Sequence, residues 1–246
     1  MAHALVLGGT RGLGREAVKL FSAAGYKVSV IGRREPPAED RTISGVKHWI
    51  ADLGPDANIG ETLDAIVKEH GSLNYLVFCQ RYRGSEDSWK GEIDVSLTLT
   101  KMVMEAAQEH FDPKGDKSVV MVSSVFGDFV GEGQALSYHV GKAGMNHMMR
   151  YYAVNLGRKG IRVNAVTSFT FLKDESKEFY LKNEPLHELY RRIIPLGRMA
   201  ASVDSAQAVA FLCSPQSSFI NGQNIYVDGG LSLVWPETLA RNLCSL

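Results

Sequence analysis

Seven short runs of the chain, 4–7, 27–31, 46–51, 73–79, 118–123, 161–167 and 224–227, are mostly apolar almost throughout rather than at every second position. A strand with one wet face alternates, whereas a strand that reads apolar throughout is covered on both faces. Between these runs lie segments of helical period. In 15–24, Val18, Phe21 and Ala24 recur at helical spacing and Gly25 supplies a stop; in 61–70, Leu63, Ile66 and Val67 share a face and Gly71 follows. Strand, helix, strand in repetition implies parallel strands joined by right-handed crossovers. The expected fold is α/β: a doubly wound, mostly parallel seven-stranded sheet with helices on both faces, binding ligands at the carboxyl ends of its strands.

A chain of 246 residues, 45% hydrophobic, is long enough for one large core, and a single domain over 1–246 is expected. Its 27 basic residues are balanced by 27 acidic ones. Coating nucleic acid or an anionic membrane needs a cationic surplus, so neither partner is expected. Three cysteines without a Cys-x-x-Cys pair give no disulfide framework, and the seven histidines show no metal-ligand spacing. No metal is expected. There is no apolar run near the ~20 residues of a membrane helix. The first residues pass straight into a strand, and Cys244-Ser245-Leu246 matches no lipidation or peroxisomal signal; a cytoplasmic protein is expected. Pro36 to Asp40 reads as a loop. Residues 168–194 form the longest interruption without a strand and mix Phe169, Phe171, Phe179, Tyr180, Leu186 and Tyr190 with charges. Two readings stand for it: a mobile substrate lid, or two surface helices whose aromatics join the core.

Gly8-Gly9-Thr10-Arg11-Gly12-Leu13-Gly14 follows the first run and opens the first helix. Glycines there let the backbone approach a pyrophosphate, and free amides at a helix start favour its charge. A dinucleotide site selective for NAD places a carboxylate about 20 residues beyond the glycines to hold the ribose 2′-hydroxyl. Here that place holds Gly32-Arg33-Arg34. Arg33, with Arg11 and Arg34, suits a 2′-phosphate, so NADP(H) is the expected cofactor. Glu35 follows closely and competes for these arginines.

Further features occur in order: Asp52-Leu53 after the third run, Ser123-Ser124 after the fifth, Tyr138-His139-Val140-Gly141-Lys142, Arg162-Val163-Asn164-Ala165-Val166, Pro195-Leu196-Gly197-Arg198, and Val227-Asp228-Gly229-Gly230. With Gly8, Gly12 and Gly14 this ordered set resembles the short-chain dehydrogenase/reductase family over nearly the whole chain. The resemblance implies a Rossmann-type domain that interconverts a carbonyl and an alcohol. Tyr138 and Lys142 stand one helical turn apart and share a face. The ammonium favours the ionised phenol, making Tyr138 a general acid or base. The resemblance implies that Ser124 orients the substrate oxygen, that Lys142 also holds the nicotinamide ribose, and that Thr10, Leu13, Asp52, Leu53 and Cys79 join the glycines around the cofactor.

The departures gather at the cofactor. Phe78-Cys79-Gln80-Arg81 replaces the family's Asn-Asn-Ala-Gly, Ser168-Phe169 replaces Pro-Gly, and Leu7 stands where a threonine is common. The family's catalytic asparagine falls at Ser96, whose shorter hydroxyl is expected to support the proton relay through a water. A small-molecule carbonyl or alcohol is the expected substrate. The alternative is a non-catalytic NADP(H)-binding sensor or assembly protein; an enoyl reductase is a third reading, disfavoured by the close Tyr–Lys spacing. The resemblance also implies a homodimer or homotetramer, built on the helices through 96–107 and beyond Lys142.

Overall fold

The computed structural model describes residues 1–54, 57–84, 88–169, 171–172 and 182–244. Seven strands form one sheet: β1 (His3–Leu7), β2 (Lys27–Gly32), β3 (Val46–Ile50), β4 (Tyr75–Phe78), β5 (Lys117–Ser124), β6 (Ile161–Ser168) and β9 (Asn224–Val227). Their order is β3-β2-β1-β4-β5-β6-β9, and every neighbouring pair is parallel. The chain runs outward from β1 through β2 to β3, then returns to place β4 on the other side of β1. That reversal opens a crevice at the carboxyl ends of β1 and β4, the place where doubly wound sheets take ligands.

The apolar runs are explained by what covers them. Leu5 and Leu7 of β1 pack into a core layer with Leu63 and Ile66 of α2 (Ile59–His70), Val103 and Met104 of α4 (Leu99–Ala107) and Met145 and Met149 of α5 (Leu136–Gly157). Ala4 and Val6 face the opposite layer, with Val18 and Phe21 of α1 (Gly12–Ala23) and Ala206 and Val209 of α7 (Ser202–Leu212). The central strands β1, β4 and β6 therefore bury both faces, while the edge strands β3 and β9 are only half-buried. Between β4 and α4 lie α3 (Ser88–Ile93) and a π-turn over Asp94–Thr98.

Strand ends shift by one or two residues, as at β4, which spans Tyr75–Phe78 within the expected 73–79, and two helix starts differ from the periodicity. Helix α1 begins at Gly12 rather than at residue 15, because packing of the glycine turn overrides glycine's poor helix propensity. Helix α2 begins two residues before 61, where the Asn58 side chain accepts a hydrogen bond from the Glu61 amide at 3.2 Å.

The stretch expected to be free of strand holds a two-residue one, β7 (Phe171–Leu172), paired with β8 (Ala200–Ala201); a pair that short leaves no pattern to read. It also holds one described helix, α6 (Glu184–Ile193). Phe169 packs edge-on to Tyr190 of this helix, 6.0 Å between centroids, in a small apolar cluster with Ile194 and Met199. Phe179 and Tyr180 lie outside the described residues. A last helix, α8 (Pro236–Cys244), follows β9. None of the described helices is long and apolar enough to cross a membrane.

Candidate active site

The glycine turn is dictated by contacts at the crevice. Gly8 has φ +78°, and a Cβ there would stand 2.8 Å from the Cys79 and Gln80 backbone at the end of β4. A Cβ on Gly14 would meet the Gly8 carbonyl oxygen at 2.4 Å. Both glycines are thus demanded by close approach of turn, helix and strand. Gly12 differs: φ is +51°, yet a Cβ would have nothing within 4 Å, so its α-face looks into open cleft at the first turn of α1.

Two cavities continue each other along the strand ends. One of about 340 Å³ is lined by Thr10, Arg11, Arg33, Arg34, Asp52 and Leu53, among others. The second, of about 280 Å³, is bordered by Gly12, Leu13, Gly14, Ser124, Tyr138 and Lys142. Arg11, Cys79, Gln80, Arg81 and Arg83 belong to both. Gly8 lines the first. Every residue expected at the cofactor or at the reacting carbonyl, except Ser96, therefore lies on one cleft.

Two elements, β5 and α5, bring the reactive groups together. Ser124 ends β5 in extended geometry, and its hydroxyl accepts the Phe126 amide at 3.3 Å, capping a short 3-10 turn. Helix α5 carries Tyr138 and Lys142. The Lys142 ammonium is buried, donates to the Val122 carbonyl at 3.0 Å, and stands 5.7 Å from the centroid of the Tyr138 ring. His139 holds the loop before this helix: Nε2 accepts the Gly131 amide at 3.0 Å while Nδ1 meets the Ala135 carbonyl at 2.9 Å. Among the described residues no group of three or more His, Cys, Asp or Glu side chains could hold a metal ion. Burial pushes the Cys79 thiol up to about 12, so this cysteine lines the cleft as a neutral group.

Ser96 is placed elsewhere. It is fully buried in the π-turn, its hydroxyl donates to Glu92, and it borders neither cavity. The side chain of Glu92 in turn packs against α5 at Gly141, where a Cβ would stand 3.2 Å from it. The polar link from the end of β4 to α4 is made instead by Gln80, whose amide donates to Thr100 Oγ1 at 2.9 Å. Phe78 turns into the core with no exposed surface, away from the cleft.

Among the lining residues to which sequence reasoning gave no role are three polar ones. Gln134 sits on a loop without a motif. Arg83 lies beyond the departing tetrapeptide. Arg81 ends that tetrapeptide, where it registered only as a lost glycine; its guanidinium carbon lies 5.1 Å from the centroid of the Tyr138 ring.

The cleft fits a dinucleotide phosphate. The open face of Gly12 is a cradle at a helix start, where free amides favour an anion. At the far end, Glu35 lies 3.6 Å from Arg41, and among the described residues neither Arg33 nor Arg34 has a carboxylate partner.

A family model described as enoyl-(acyl carrier protein) reductase matches residues 8–232. The 3-oxoacyl-(acyl-carrier-protein) reductase FabG of Chlamydia muridarum is 30% identical over 245 residues, 93% of this chain and 96% of that protein. Glucose 1-dehydrogenase 2 of Bacillus subtilis is 26% identical over 251 residues, 96% of each. Among solved structures, ligand-free aldohexose dehydrogenase of Thermoplasma acidophilum aligns with a TM-score of 0.83 and 27% identity, covering 96% of this chain and 95% of that one.

Proposed function

The chain belongs to the short-chain dehydrogenase/reductase family, and we propose that it is an NADP(H)-dependent oxidoreductase that interconverts a small-molecule carbonyl and its alcohol. The observation that carries this reading is the meeting of Ser124, Tyr138 and Lys142 on one 280 Å³ cavity beside the glycine turn. Each relative named above is a reductase or a dehydrogenase, which favours an enzyme over a binding protein. In this reading the whole chain, 1–246, works as one domain in the cytoplasm and assembles as a homodimer or homotetramer.

The residues divide the work by chemistry. The turn from Gly8 to Gly14, with Thr10, Leu13, Leu53 and Cys79 as walls, holds the dinucleotide, and Asp52 borders the adenosine side. Arg33 and Arg34, flanked by Arg11, hold the 2′-phosphate through forked donors. The bound cofactor supplies or accepts the hydride at the carbonyl carbon. Ser124 donates a hydrogen bond to the substrate oxygen. Tyr138 gives that oxygen its proton in reduction and takes it back in oxidation. Lys142, fixed by the Val122 carbonyl, keeps a positive charge against the ring that must bear developing negative charge. Ser96 is not part of this exchange; it braces the π-turn beneath the cleft.

Substitution of Tyr138→Phe tests the reading. NADPH binding, followed by fluorescence titration, is expected to persist, while turnover of any accepted carbonyl falls by about 10²- to 10⁴-fold, the usual worth of a general acid. Turnover undiminished in this variant would refute it.

A further inference from the structure

Among the described residues, the catalytic half of the cleft is lined by four cations, Arg11, Arg81, Arg83 and Lys142, and by no carboxylate. A carbonyl reductase for neutral substrates has no need of such a wall. Two of the four have evident tasks: Lys142 is buried and held by a backbone carbonyl, and Arg11 also lines the neighbouring cavity with Arg33 and Arg34, where it flanks the 2′-phosphate. Arg81 has none. It stands at the solvent side of the cavity, and among the described residues it has no carboxylate partner. Its guanidinium rests 5.1 Å from the centroid of the Tyr138 ring.

We propose that Arg81 is the anion anchor for the substrate, and that the compound turned over is a 2-oxo or 3-oxo acid whose carboxylate lies close to the reacting C=O. The inference rests on the oxidoreductase reading and adds the substrate class. The proximity sets the chemistry. A carboxylate meets a guanidinium N–H at about 2.8 Å, and a carbonyl must come within about 3 Å of the phenol oxygen to share its proton. With the guanidinium against that phenol ring, both bonds form at once only when anion and carbonyl are on the same or neighbouring carbons. A phosphate at the end of a long carrier does not meet this condition. The planar fork of arginine also fixes which face of the carbonyl is presented, which a lysine at the same place would not do.

The test uses purified full-length protein with NADPH and matched pairs: benzoylformate and acetoacetate against their methyl esters, with acetoacetyl-CoA as a substrate whose charge is remote. The acids are expected to exceed their esters at least about tenfold in kcat/KM, chiefly through KM. Arg81→Gln is expected to lower the acid-to-ester ratio by about 30-fold, the worth of a charge-assisted hydrogen bond, and Arg81→Glu to lower it further. A second readout needs no turnover: in Tyr138→Phe protein loaded with NADPH, adding Arg81→Gln should raise the dissociation constant of benzoylformate by a similar factor, read from quenching of bound NADPH. Equal handling of acid and ester, a ratio unmoved by Arg81→Gln, absence of saturable acid binding, or a stronger Arg81 dependence for acetoacetyl-CoA would each overturn the proposal. Failure of the oxidoreductase reading looks different: no accepted carbonyl, neutral or charged, would depend on Tyr138.

Discussion

Replacing Gly12 by alanine separates the two demands that the glycine turn makes. At φ +51° an alanine sits in the left-handed region, which costs about 1 kcal/mol relative to glycine after allowing for the stiffer unfolded chain. Nothing lies within 4 Å of the added methyl, so no packing penalty joins that strain. For a chain of this size about 1 kcal/mol lowers the melting temperature by roughly 2–4 °C. The methyl projects into the cleft at the start of α1, between the helix amides and any phosphate they hold. Pushing a phosphate off one or two of these amides forfeits charge-assisted hydrogen bonds, and an affinity loss of about 10- to 100-fold for NADPH follows. Gly14→Ala is the contrast: its Cβ would stand 2.4 Å from the Gly8 oxygen and 3.1 Å from the Cys79 Cβ, an overpacked core that costs about 1–3 kcal/mol or more before any ligand is added. Thermal melts without ligand and NADPH fluorescence titrations of both variants make the measurement. Gly12→Ala with a small melting shift and unchanged NADPH affinity would refute the argument, since the pyrophosphate would then not cross the open face of residue 12.

Arg33→Ala is expected to weaken NADPH by about 10- to 100-fold and NADH by less than about threefold, measured by parallel titrations; equal losses would remove the 2′-phosphate assignment. His3 gives a pH dependence: burial, aided by His70 and Lys27 and opposed by its 2.7 Å contact with the Gly71 carbonyl, lowers it from 6.5 to about 4. The unfolded chain therefore binds more protons between these values, so the contribution is complete above pH 6.5 and is lost as pH falls toward 4, by up to about 3 kcal/mol. Urea unfolding of wild type and His3→Gln at pH 7 and 5 should show a smaller difference in the variant. Arg162 is buried, pairs with Asp116 at 3.0 Å and donates to the Leu212 and Ser214 carbonyls. Arg162→Met should cost about 3 kcal/mol in urea unfolding while leaving the acid-to-ester ratio unchanged.

How much of this was legible in the sequence depends on whether a residue's surroundings are local. The sheet was, because burial on both faces makes each strand apolar throughout, and that signal lies within the strand itself. The glycine turn was, since φ and close approach demand glycine at fixed offsets. The start of α1 was not: its first turn is Gly12-Leu13-Gly14, and only contact with β1 and β4 makes it helical. Ser96 misled for the same reason. Position along the chain aligned it with a relay residue, but the direction of its hydroxyl is set by Glu92, four residues earlier, whose carboxylate fills the room left by Gly141 on another helix.

The changes at the end of β4 gain a common explanation from this. Phe78 faces the core between the sheet and α4, so an apolar side chain there strengthens the scaffold and takes nothing from the cleft. The amide of Gln80, two residues on, reaches Thr100 and steadies α4 against the strand end. With the strand end held from that side, Arg81 carries its side chain over the Tyr138 ring. The tetrapeptide thus places a cation 5.1 Å from the centroid of the Tyr138 ring, where the proposed anion anchor requires it. Restoring Arg81→Gly alone should therefore change which carbonyl compounds are accepted while leaving the melting temperature within about 2 °C, because the support from Phe78 and Gln80 stays in place.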